Sequence, residues 1–364
     1  MTNLKYSVGI DGSKKDFKAC LSVINQMQEV KVKASGTFTN NLRGFELFFK
    51  WVKKNSKEDL PVFYLMEATG VYNERLAWYL YQNGQKCSVI LPNKAKRYLQ
   101  SFGLKSKNDK IDAQGLSRMC AEQSIPLWQP LSKNIYTLRS LTRLHESLHK
   151  QRTVLNNQLH AIEYSMYELK AVAKGLQSTL NAIDKQLNIV EKQIKCLINE
   201  DISLKEKYEM INKIKGVGLL TFAVIIAETN GFEIFTNQKQ LVSYSGYDVV
   251  ENQSGIKVGK SRISKKGNTR IRRILHMPAL CVVTHNEPVF RSLFERVYSK
   301  SGIKMKAYVA VQKKLLCLIY TLWKRNEVYD PNFKIIKNTS GNDEPKPFLS
   351  LGSVGDKISS LSIS

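Results

Sequence analysis

Long apolar runs are missing from this sequence. No stretch approaches the roughly 18 uninterrupted apolar residues that a membrane helix requires, and the start, MTNLKYSVGID, lacks the charged-then-apolar layout of a signal peptide. The expectation is a cytosolic chain without a membrane span. Paired cysteines are missing too. Cys20, Cys87, Cys120, Cys196, Cys281 and Cys317 lie far apart with no C-x-x-C pair, which argues against a zinc ribbon or a disulfide framework and for reduced, buried thiols. Histidine is scarce, with five residues. Acidic residues are few beside the bases, 31 Asp plus Glu against 56 Lys plus Arg, for a net charge of +25. That imbalance points to a partner made of phosphates.

At 364 residues the chain exceeds what one hydrophobic core usually organises, so two or three domains are expected. Up to about residue 126, short apolar runs alternate with helical patterns. YSVGI, FKACLSVI and VKVKASGTF read as a meander of strands. A helix near Leu42 to Lys53 follows, and then two buried strands, VFYLMEATG and KCSVILPN. This order suggests a mixed sheet with helices on its faces, which is the element order of an RNase H-like fold.

From Leu141 an apolar residue recurs every seventh position: Leu148, Leu155, Ile162, Leu169, Leu176, Ile183, Val190 and Leu197. The companion positions His145, Arg152, Leu159, Met166, Ala173, Leu180, Leu187 and Ile194 complete a coiled-coil seam. With Gly175 near its middle, the segment is either one long helix pairing between subunits or two helices folded back in one chain. Beyond it, K-G-V-G joins two apolar runs as in a helix-hairpin-helix. Such a turn can offer backbone N–H groups to phosphate. Residues 254–325 carry 17 Lys or Arg against 2 Glu, so phosphate contact is expected to concentrate there. After Pro331 the chain is polar and aperiodic, the pattern of a disordered tail.

Four acids stand out. Asp11 ends the first strand pattern and Glu67 ends another, so if these strands are parallel neighbours both carboxylates emerge at one sheet edge. Asp109 and Asp112, in KSKNDKIDAQGL, lie three apart at a helix start and share a face. Clustered carboxylates repel, and Mg²⁺ is their natural remedy, because it prefers oxygen ligands and leaves positions open for substrate phosphate. Each acid also has a plainer use: Asp11 capping a turn with Gly12 and Ser13, Glu67 solvated, and Asp109 capping the helix that holds Asp112.

The segments VGIDGSKKDF, MEATGVYNERLAWYL and GLKSKNDKIDAQGLS resemble the DEDD transposases of the IS110 (IS1111) insertion-sequence family, which include the Piv-type invertases. The resemblance extends through LVSYSGYDVVENQSGIKVGKSRISKKGNTRIRRILHMPAL, with its S-G, basic stretch, S-K-K-G-N and R-x-x-L. It implies an α/β RNase H-like (RuvC-like) domain over residues 1–128 and a coiled coil over 129–205. A mainly α-helical C-terminal transposase domain over 206–330 and a tail over 331–364 complete the reading. By the same resemblance Asp11, Glu67, Asp109 and Asp112 hold Mg²⁺ or Mn²⁺, and Ser254 of the Q-S-G triplet is the nucleophile joined to a DNA 5′ phosphate. It further implies donor and target DNA, a structured noncoding bridge RNA that pairs with both, a homodimer or homotetramer, and a prokaryotic, nucleoid-associated setting. Read from residues alone, Ser243, Ser245, Ser261 and Ser264 would be equal candidates for the serine. Arg262, Lys265, Lys266, Arg270, Arg272 and Arg273 are expected to contact DNA or RNA phosphate.

Two rivals are weighed. HESLH, from His145 to His149, satisfies the zinc motif H-E-x-x-H with Glu146 as base. It is set aside, because His145 falls on the seam and no third ligand follows at a familiar spacing. The other rival is a metal-dependent nuclease of the Holliday-junction-resolvase kind, which would use the four acids and no covalent serine.

Overall fold

The computed structural model describes residues 2–68, 70–102, 108–167, 169–250, 253–254, 257–259 and 262–330. The tail expected to be disordered lies outside the described residues, as do Gly103 to Lys107 of the third acidic motif and Gly255 of the Q-S-G triplet. The chain divides into two compact units, Met1–Pro130 and Leu131–Ser364.

In the first unit β1 (Asn3–Gly12), β2 (Asp16–Asn25) and β3 (Val30–Thr39) form the expected antiparallel meander. β4 (Val62–Glu67) and β5 (Lys86–Ile90) then extend the sheet in parallel from β1. The strand order is β3-β2-β1-β4-β5, so the sheet is mixed and β1 lies inside it. Alternation sends Tyr6, Val8 and Ile10 of β1 to one face. There they pack with Phe45 and Phe48 of α1 (Leu42–Asn55) and with Leu76 and Leu80 of α2 (Glu74–Gln82). Phe17 meets Phe48 edge-on at 5.2 Å and Phe38 meets Trp51 at 5.4 Å, which ties α1 to the β2–β3 side. Each such fully buried apolar side chain contributes on the order of 1.5–3 kcal/mol. The opposite face carries α3 (Pro92–Gln100) and α4 (Asp109–Glu122), through Leu65, Ile90, Ala95, Leu116 and Met119.

The second unit is helical. The heptads form two 31-residue helices, α5 (Lys133–Glu163) and α6 (Lys170–Glu200). They are antiparallel within one chain: His145 meets Glu191, and seven residues further along α5 Arg152 meets Asp184, seven residues back along α6. The reversal falls after Glu163 and not at Gly175, which lies inside α6. Seam residues Leu180, Ile183, Leu187, Val190 and Ile194 are buried. Ile135, Leu138, Val190, Ile194 and Ile198 share one core with the remaining helices, so the root of the hairpin belongs to that bundle.

Those helices are α7 (Ile202–Ile211), α8 (Leu219–Thr229), α9 (Gln238–Tyr244), α10 (Thr269–Ile274), α11 (His276–Thr284), α12 (Pro288–Ser301) and α13 (Lys304–Arg325). Between α9 and α10 run two nested pairs of short strands. β6 (Val249–Val250) pairs with β9 (Arg262–Ile263), and β7 (Gln253–Ser254) pairs with β8 (Lys257–Val258). The cysteine expectation holds for Cys20, Cys87 and Cys120, which are buried thiols; Cys281 and Cys317 are half-buried, and Cys196 is exposed on α6, where it hydrogen bonds to Glu200. No described helix is long and apolar enough to cross a membrane.

Candidate active site

β1 and β4 run parallel with Ile10 opposite Met66. One residue further along each strand, Asp11 and Glu67 therefore come to the same sheet edge. Alternation places Asp11 on the face of Ser7 and Gly9, and Glu67 on the face of Leu65. That is the face α4 covers. Leu65 packs with Leu116, Met119 and Cys120, and the Ser117 hydroxyl donates to the Ser7 carbonyl at 2.9 Å. The close approach requires glycine at position 9, because a Cβ there would stand 2.1 Å from the Ala113 carbonyl oxygen and the Ser117 nitrogen.

Antiparallel to β1, α4 brings its first turn toward Asp11. Asn108 caps it by accepting from the Ile111 N–H at 2.9 Å, so the capping role falls to Asn108 and not to Asp109. Asp109 and Asp112 sit in that first turn, where negative charge favours the helix end. They continue the stripe of Ala113 and Leu116, which brings the helix start to the corner where Asp11 leaves β1. The β1–β2 turn is closed by Ser13 and Asp16, whose side chains bond at 2.6 Å.

Sequence reasoning missed Lys18, which stands opposite Asp11 in the β1–β2 ladder. Its ammonium lies 2.9 Å from Asp109 Oδ2, with side-chain exposures of 36% and 65%. That hydrogen bond, aided by the charges of Asp109, Asp16 and Asp11, holds the Lys18 pKa above its ordinary value. The hairpin register was the signal that could have found it. A corner of carboxylate oxygens suits a hard divalent cation, and the attraction of an ammonium to it fits that reading. Among the described residues, no three of the four acids bring oxygen atoms within 4.8 Å of one another.

The second unit holds the other candidates. Ser254 ends β7 and pairs with Lys257 in β8. Of the alternatives, Ser245 is fully buried, Ser264 donates to Asp248 Oδ1 at 2.6 Å, Ser243 lies within α9 and Ser261 is outside the described residues. The S-G and S-K-K-G-N segments interlock at the root of the strand pairs. A Cβ on Gly267 would stand 2.4 Å from the Tyr244 carbonyl oxygen and 2.5 Å from the Gly246 nitrogen. Asn268 caps α10 with its side-chain oxygen, donates its backbone N–H to Tyr244 O, and donates its amide to Glu228 Oε2 at 2.7 Å.

The six predicted cations divide. Arg262, Lys265 and Lys266 are exposed. Arg270 and Arg273 both bond to Glu146 of α5, and Arg272 donates to the carbonyl oxygens of Ser245, Asn268 and Lys265. Beneath them Glu228 of α8, with a 2% exposed side chain, receives Arg143 through both oxygens. Burial pushes the Glu228 carboxyl up, but Arg143, Asn268 and Arg139 outweigh it and leave the pKa lowered. Burial likewise opposes ionisation of Glu146, and Lys150, Arg270 and Arg273 overcome it. Neither glutamate was singled out as an anchor by the sequence.

His145 and His149 of the set-aside zinc motif adjoin each other on α5, and a third group joins them, Glu191 of α6. His145 Nε2 lies 3.0 Å from Glu191 Oε1. The His149 pKa is lowered by burial, then by His145 and Arg152, against Glu191 and Asp184.

Residues 8–163 match the family model of DEDD transposases of IS110, described as Transposase, and residues 208–295 match one described as Transposase IS116/IS110/IS902 family. The pilin gene-inverting protein of Moraxella bovis is 30% identical over 327 residues, spanning 90% of this chain and 98% of that relative. The chain belongs to the IS110 family of transposases. The transposase for insertion sequence element IS1111A of Coxiella burnetii is 25% identical over 302 residues, 73% of this chain and 78% of the relative. An IS110-family transposase cleaves and rearranges DNA, and the DEDD group to which it belongs implies a divalent metal requirement. A solved member of the Ppx/GppA family from Aquifex aeolicus aligns with a TM-score of 0.21 and 9% identity over 93% of this chain and 99% of that one. Overlap that weak is no guide to fold.

Proposed function

We propose that this IS110-family transposase exchanges DNA strands through a four-carboxylate metal site and a covalent serine–DNA intermediate. The observation that carries the reading is the placement of Asp11 and Glu67 at one edge of parallel strands, under a helix whose first turn holds Asp109 and Asp112. In this reading the first unit is an RNase H-like (RuvC-like) domain. Its four acids would hold Mg²⁺ or Mn²⁺, which when bound supplies electrostatic stabilisation of a phosphate under attack.

Ser254 would attack the scissile phosphorus. An Oγ–P bond forms, the P–O3′ bond breaks, and the departing 3′ oxygen takes up a proton as the serine loses one, so that phosphodiester energy is kept for religation. Exposed Arg262, Lys265 and Lys266 lie along the same segment and suit phosphate contact. Arg270, Arg272 and Arg273 serve that contact by holding the segment's root, and would reach phosphate only by exchanging internal partners. The pilin gene-inverting relative supports a reaction in which a DNA segment is inverted. A noncoding bridge RNA would read donor and target by base pairing, with the +25 charge serving both nucleic acids. Assembly as a homodimer or homotetramer would supply the several active sites that strand exchange uses.

Labelled DNA, incubated with Mg²⁺, associated RNA and either wild type or Ser254→Ala, then separated under denaturing conditions, tests this. A protein-bound label that vanishes in the variant is expected. Robust cutting by both proteins without an adduct would replace the reading with a resolvase-like nuclease.

A further inference from the structure

The chemistry proposed above makes no use of the cluster on the helical hairpin. His145 and His149 lie one turn apart on α5 and so face the same way, with ring centroids 4.5 Å apart. Glu191 reaches them from α6, and one ligand atom from each of the three residues lies within 4.8 Å of the others. Two imidazoles and one carboxylate form the borderline donor set that selects zinc-like transition metals over Mg²⁺. We propose that His145, His149 and Glu191 bind one Zn²⁺-like ion that cross-links α5 to α6.

The geometry needs little adjustment. Ligands about 2.1 Å from a tetrahedral zinc stand roughly 3.4 Å from each other, and His145 Nε2 and Glu191 Oε1 are already 3.0 Å apart. His145 is buried and held in place, whereas His149 and Glu191 are exposed and able to close on an ion. The cations around the cleft are engaged elsewhere, Arg152 with Asp184 and Lys150, Arg270 and Arg273 with Glu146. A cleft of about 310 Å³, lined by Thr142, His145, Glu146, His149 and Arg270 among others, gives access and leaves space for a water as fourth ligand.

The ion would be structural and not hydrolytic. Glu146, the base in a zinc hydrolase with this motif, is bound by Lys150, Arg270 and Arg273 and is not available to activate water. Those same bonds, with Arg143 to Glu228, link α5 to the root of the Ser254-bearing segment. A metal staple on α5 and α6 therefore stiffens the helix on which that root rests.

Full-length protein carrying Cys196→Ser, which removes the exposed thiol, is titrated with Co²⁺ in excess Mg²⁺ and then with Zn²⁺. Visible absorption that saturates at one equivalent, is bleached by Zn²⁺, and is weakened at least about a hundredfold in apparent affinity by His149→Ala or Glu191→Gln supports the site. Circular dichroism of both variants checks that they fold. No saturable absorption in the parent protein, or the same titration in the His149 variant, overturns it.

Discussion

Two groups of acids in this transposase are handled in opposite ways. At the corner of the first unit, Asp109 is largely exposed and pairs with a half-exposed Lys18. In the second unit, Glu228 is 2% exposed and grasped by Arg143 through both oxygens, with Asn268 beside them. An exposed ion pair contributes little and exchanges readily, which would suit a corner proposed to accept a metal and a phosphate. A buried carboxylate with matched partners cannot exchange without leaving charge stranded, which suits an anchor. Acids alone therefore do not mark a reactive site. Their exposure, and whether their partners are replaceable, separates the two roles.

The sharpest separation is catalytic. Asp11→Ala and Ser254→Ala should each lower strand exchange by more than about a thousandfold, measured as recombined product over time. Ser254→Ala should keep Mg²⁺ binding, while Asp11→Ala should lose it. On stability the order inverts. Glu228→Ala should cost about 1–3 kcal/mol in urea unfolding, the penalty for hydrogen bonds lost to Asn268 and to a half-exposed Arg143, while Asp112→Asn should leave unfolding unchanged or make it harder by relieving repulsion. A destabilised Asp112→Asn protein would erase the contrast.

The pH dependence sharpens it further. Glu228 and Glu146 have pKa values lowered by folding, so their contribution is complete above the unfolded carboxylate value of about 4.3 and fades as pH falls through the lower folded values. The stability gap between wild type and Glu228→Gln should be full at pH 6 and close progressively below about pH 4. Gly9→Ala should cost about 1–3 kcal/mol in the same unfolding assay by forcing α4 off the sheet, and should weaken Mg²⁺ binding as Asp109 and Asp112 retreat. Lys18→Met should have the smallest effect: unfolding nearly unchanged, and Mg²⁺ bound a few-fold more tightly once a competing cation is gone.

Much of the first unit was legible because its strands alternate or run apolar and are punctuated by turns, so meander, crossover and strand ends follow from their patterning. Asp11 and Glu67 could be placed on one edge because a parallel pair aligns strand ends. Lys18 was not legible without the β1–β2 register, which pairs it with Asp11. The heptads predicted the helices but not where they reverse, since both arms carry the same seven-residue period and Gly175 was the only glycine in it. Reversal after Glu163 is what brings Glu191 to His145, 46 residues away. The basic run from Arg262 to Arg273 read as one phosphate-facing surface, yet its second half is bonded inward to Glu146 and to backbone carbonyls.

By itself the sequence determined the strands of the first unit, the helical character of the second, the acids at strand and helix ends, the excess of positive charge and the family, because each is local or additive along the chain. Only the tertiary structure decided which charges are neutralised and which histidines acquire a third ligand, because those depend on contacts between segments dozens of residues apart that no local pattern encodes.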